Sequence, residues 1–85
     1  MIHKDQIDGY DGSPSDLATA IGDLKYDALA EFLSLLATKI AKDGAKDRSR
    51  GRVQLATSLE NSAQHLLVAK SNMDMAWRIS APYMK

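Results

Sequence analysis

The sequence predicts an all-α fold: an antiparallel helical hairpin that pairs with a second copy into a four-helix-bundle dimer. Three observations predict it. Apolar residues recur every three or four positions through two long segments. No stretch alternates with the period of a strand, and Val53 and Val68 are the only valines. The two helical segments, 15–43 and 53–80, would each reach about 42–44 Å at 1.5 Å per residue. Two equal helices joined by a short polar stretch favour a hairpin.

Residues 1–12 show neither periodicity and contain Gly9 and Gly12, so they form an irregular N-terminal arm anchored by Ile2, Ile7 and Tyr10. Residues 13–85 form the helical hairpin domain. It opens on Ser13, Pro14 and Asp16. A Ser N-cap, Pro in the first turn and an acid at N3 together satisfy the free amides and the positive end of the helix dipole.

Two apolar series then run side by side. Leu17, Ile21, Leu24, Ala28, Phe32 and Leu35 make one straight stripe; Tyr26, Leu29, Leu33, Leu36 and Ile40 make the other. Gly22 interrupts them at a cost of about 1 kcal/mol against Ala. Asp23 offers a fresh cap, so a short helix 15–22 followed by a long one is the alternative to a continuous helix. Lys42 in the last turn and Gly44 at C′ are expected to end it. The connection, 43–51, is polar apart from Ala45. The next helix starts between Asp47 and Val53, with Ser49 as a cap, and Pro82 stops it after Ser80. Its residues Ala56, Leu59, Ala63, Leu66, Lys70, Met73 and Trp77 keep heptad spacing. In architecture alone this plan resembles small plasmid RNA-regulating proteins whose two hairpins form a bundle, a resemblance that transfers no residues.

Composition narrows the function classes. Eleven Lys and Arg balance eleven Asp and Glu, which argues against coating nucleic acid or an anionic membrane by bulk charge. Apolar residues at 45% and charged residues at 26% describe a globular chain rather than a disordered one. The absence of Cys removes disulfides, thiolate metal sites and a Cys nucleophile. No apolar run approaches the roughly 20 residues that span a bilayer. The polar, acid-bearing first residues do not read as a signal peptide, so a cytoplasmic location and no membrane partner are expected.

An 85-residue chain without disulfides has little core of its own, and oligomerisation enlarges it. Between Val53 and Ala69 the one charged residue is Glu60, and charge depletion marks contact surfaces. The residues expected at the homodimer interface are Leu29, Leu33, Leu36, Ile40, Leu59, Ala63, Leu66, Met73 and Trp77. The function that follows is non-enzymatic: a self-associating adaptor, regulatory or structural subunit. The alternative is a nucleic-acid-binding regulator using the basic inter-helix loop, with Lys46, Arg48, Arg50 and Arg52 as its anion contacts.

No catalytic or metal site and no cofactor is expected. The sequence has no glycine-rich phosphate loop, no nucleophile elbow and no HExxH. His3 and His65 lack a second ligand at helical spacing. Asp23, Asp27 and Glu31 repeat every four residues on one face, but oxygen ligands must converge from elsewhere too, and a solvated face is the better reading. Lys70, inside the apolar stripe one turn before Asp74, is read as a stem that packs while its ammonium reaches water. Val68, Met75 and Ile79 form a minor second strip, either a partner groove or a seat for the arm. Pro82 to Lys85 make an exposed tail.

Overall fold

The computed structural model describes residues 3–83. The anchoring role expected of Ile2 and the tail positions Met84 and Lys85 lie outside them. Among the described residues three α-helices follow one another, α1 (Pro14–Gly22), α2 (Tyr26–Ser49) and α3 (Val53–Ser80), with a 3-10 turn at Ala81–Tyr83 after α3. No strand occurs among the described residues.

α1 starts as its sequence dictates. The Ser13 hydroxyl accepts from the Asp16 amide at 3.1 Å, and the Asp16 carboxylate accepts from the Ser13 amide at 3.4 Å, a reciprocal cap. The helix stops at Gly22, and the Asp23 amide closes onto the Ile21 and Thr19 carbonyls. Continuity from 15 to 43 is therefore overturned in favour of the broken form. The break splits the stripe Leu17–Leu35, so it is not a single buried line: Phe32 and Leu35 are exposed, and Leu35 keeps 63% of its surface. It also separates Asp23, which caps α1, from Asp27 in the first turn of α2, so the three acids do not share one helix.

α2 runs past the expected stop. Gly44 sits inside the helix and is buried, and the helix continues to Ser49. The physical reason is packing. A Cβ at Gly44 would stand 3.3 Å from both Glu60 Cγ and Leu59 Cβ and 3.4 Å from the Ala56 carbonyl oxygen. Glycine here admits the neighbouring helix instead of terminating its own. The two long helices consequently have 24 and 28 residues rather than equal lengths, and only residues 50–52 connect them.

The turn itself is tight. The Arg50 and Arg52 amides both donate to the Asp47 carbonyl, at 3.1 and 2.9 Å, and the Gly51 amide donates to Arg48 O at 3.1 Å. Gly51 adopts φ of 79°, the left-handed region that a side chain disfavours. Ser49 is not a cap for α3; it is the last residue of α2, and its hydroxyl donates to Lys46 O at 2.7 Å. α3 begins without any side-chain cap, and its end at Ser80 lies where Pro82 predicts.

α2 and α3 pack against each other. The last turns of α2 lie on the first turns of α3, and at the other end Tyr26 and Ser80 border one cleft. The seam is made of small residues at seven-residue spacing: Ala30, Ala37 and Gly44 from α2, Ala56 and Ala63 from α3. The four alanines keep between 0 and 3% of their surface, and no larger side chain is fully buried among the described residues. Heptad recurrence of small residues draws two backbones together but removes little apolar area from water.

Candidate functional site

With about 100° between successive residues, Leu29, Leu33, Leu36 and Ile40 fall to one side of the Ala30–Ala37–Gly44 line. Leu55, Leu59, Leu66, Met73 and Trp77 fall to one side of the Ala56–Ala63 line. These sides meet on one face of the helix pair. Asp43 and Asp47, further along the same side of α2, border a cavity together with Leu55 and Leu59 of α3. On the opposite face Thr38 and Lys42 of α2 border Gln64 and Leu67 of α3.

The structure thus places the residues expected at an interface on or beside this apolar face. Leu29, Leu33, Ile40, Leu59, Leu66, Met73 and Trp77 are half-buried, Ala63 is buried in the seam, and Leu36 keeps 36% of its surface. Leu55, which the sequence places on the apolar stripe of the second helix but not among the interface residues, also lies on this face, four residues before Leu59. Sequence reasoning missed the seam residues Ala30, Ala37 and Gly44, whose signal was seven-residue spacing of small side chains rather than of large ones.

At the turn end of the face a cavity of about 180 Å3 is lined by His3, Asp43, Lys46, Asp47, Arg50, Arg52, Leu55 and Leu59. The arm thus reaches the far end of α2. The four cations proposed from sequence are not equivalent there. Arg48 reaches across to α3 and grips Glu60 with both ends of its guanidinium, Nε to Oε2 at 3.0 Å and Nη2 to Oε1 at 2.7 Å, with Thr57 Oγ1 at 3.3 Å. Arg52 Nη1 donates to Asp47 Oδ1 at 3.2 Å. Lys46 and Arg50 have no carboxylate within ion-pair distance among the described residues. Two of the four cations are therefore compensated by carboxylates before any anion approaches.

Electrostatics follow from these pairs. The hydrogen bond from Lys39 holds the Asp43 carboxyl below its ordinary range, with Lys46 and His3 adding weaker attraction against a desolvation effect that opposes it. The Arg48 hydrogen bond lowers Glu60, and Glu60 in turn raises Arg48. Lys70 Nζ donates to Asp74 Oδ2 at 2.6 Å, one turn along, and its side chain keeps 36% of its surface. That is the arrangement expected of a packed stem with a solvated head. His65 is exposed on α3, as are Val68, Met75 and Ile79, so the arm does not cover the second strip.

Among the described residues no group of three or more His, Cys, Asp or Glu side chains is arranged to hold a metal ion. No helix there is long and apolar enough to cross a membrane. Comparison of the chain with protein-family models, with curated proteins and with solved structures gives no match.

Proposed function

We propose that this chain is a non-enzymatic, self-associating protein. In this reading α2 and α3 form a helical hairpin whose apolar face closes on a second copy, making a four-helix-bundle homodimer. The dimer would act as an adaptor, regulatory or structural subunit through the surfaces it leaves open.

One observation carries the reading: among the described residues those buried by a single chain are all Ala or Gly, while the leucines of one face stay partly in water. The accessible surface is 6729 Å2. A compact monomer of 9.3 kDa exposes roughly 5,000 Å2 by the usual scaling of surface with mass. The excess is about twice the roughly 800 Å2 that each partner contributes to a stable interface. The radius of gyration points the same way. It is 15.4 Å, whereas a compact 85-residue body has about 12 Å and a body of two such chains about 15.5 Å. A second copy laid alongside would fill out the thin dimension, 14 Å, without lengthening the 50 Å axis.

Adjacent residues supply the test. Leu36 lies on the apolar face and Leu35 on the outer side of α2. Leu36→Asp should halve the mass in solution, because a carboxylate would be buried unpaired between the copies. Leu35→Asp should leave the mass unchanged. If both variants keep the wild-type mass and helicity, this face is not the interface. The nucleic-acid reading gains less support, since Arg48 and Arg52 are already paired with Glu60 and Asp47.

A further inference from the structure

Charge is not evenly spread along the helix pair. Residues 39–60, which form the turn end, carry six Lys and Arg against three Asp and Glu. The remainder of the pair with its lead-in, 23–38 and 61–83, carries three against four. Side-chain size along the α3 heptad line is graded in the opposite direction. The α3 seam runs Ala56, Ala63, Lys70, Trp77 from the turn end to the open end, and Leu29, Leu33, Met73 and Trp77 fill the face near the open end. The turn end instead holds the close helix approach at Gly44 and the cavity of about 180 Å3 beside Leu55 and Leu59.

From these two gradients we infer that the second copy lies antiparallel, its turn end over the open end of the first. The inference rests on the self-association proposed above and adds the direction of the partner. Parallel alignment would bring two ends, each with three excess positive charges, to within about a Debye length of roughly 8 Å at physiological salt. It would also set Trp77 against Trp77 and cavity against cavity. Antiparallel alignment sets the basic end over the weakly acidic one and brings Trp77 of each copy beside the turn end of the other, where His3, Leu55 and Leu59 border the cavity. The arrangement is isologous, so each gain occurs twice.

The natural absence of Cys makes the test clean. A nitroxide is attached to the full chain at Ser49→Cys, an exposed position at the turn end, and the label–label distance is measured by pulsed dipolar spectroscopy. Mass by light scattering is recorded on the same sample. Antiparallel pairing predicts a dimer mass and a distance longer than about 40 Å, close to the length of α3. A dimer mass with a distance below about 30 Å overturns the orientation and leaves self-association standing. A monomer mass without dipolar modulation overturns both. A second sample mixes copies labelled at Ser49→Cys with copies labelled at Ala28→Cys, near the open end. It should show a new short distance, and its absence in a dimer also contradicts the antiparallel arrangement.

Discussion

The two sides of α2 are built from different materials. One side presents Leu29, Leu33, Leu36 and Ile40, while the other presents Glu31, Leu35, Thr38 and Lys42. Between them runs the seam of Ala30, Ala37 and Gly44, which α3 alone covers. Three tasks are separated around one helix. Small residues set how closely α3 approaches, large apolar residues lie beside the seam, and a mixed set that includes the exposed Leu35 faces outward. In a self-contained monomer the first two tasks usually coincide, because the largest side chains fill the core.

The sharpest way to break this separation is to put bulk where the seam demands smallness. Ala56 is fully buried and stands against Gly44. Ala56→Leu should destabilise the fold by about 1–3 kcal/mol through overpacking, read as a lower urea midpoint with an unchanged slope. The same enlargement on the outer side, Thr38→Leu, should change the midpoint little. Equal effects at the two positions would mean that the seam is not closely packed.

A smaller effect is expected at the turn. Gly51→Ala keeps every contact but forces a side chain into φ of 79°. It should cost about 1 kcal/mol, visible as a fall in Tm of several degrees for a domain this size. An unchanged Tm would show that the turn relaxes to another conformation.

The smallest effect is electrostatic. Asp43 and Glu60 are held below their ordinary values of 3.8 and 4.5, by Lys39 and Arg48 respectively. A carboxylate depressed in the folded state contributes stability that is fully present above its unfolded value and lost as pH falls through the folded one. Stability should therefore be level between about pH 8 and 5.5 and decline below about pH 4.5. Both pairs are exposed, so the decline should be shallow, and Glu60→Gln should make it shallower still. A steep loss already at pH 6 would contradict an origin in these two carboxylates.

Much of the fold was legible in the sequence because local rules and tertiary packing agree there. Ser13, Pro14 and Asp16 mark a helix start that no neighbour contradicts, and Pro82 ends α3 regardless of packing. The heptad through Ala56, Ala63 and Trp77 is visible for the same reason. Gly44 misleads because glycine has two meanings, a helix terminator or a close-approach residue. Only the partner helix, with Leu59 and Glu60 at 3.3 Å from the missing Cβ, decides between them. Ser49 misleads in a related way: the turn is satisfied by the Asp47 carbonyl and by Gly51, so α3 needs no side-chain cap. The stripe from Leu17 to Leu35 misleads because periodicity continues across a break that Gly22 and residues 23–25 impose. For the candidate site, the sequence showed which large residues share a face. It did not show that Arg48 and Arg52 would be spent on Glu60 and Asp47, since those pairs form only when α2 and α3 meet.

Closure of the apolar face by a second copy of this chain, as proposed above, is read by absolute mass from light scattering on a sizing column, followed through serial dilution. The account predicts a mass near twice 9.3 kDa that gives way to the single-chain mass only on strong dilution. A folded, helical species at 9.3 kDa across the whole concentration range would contradict it.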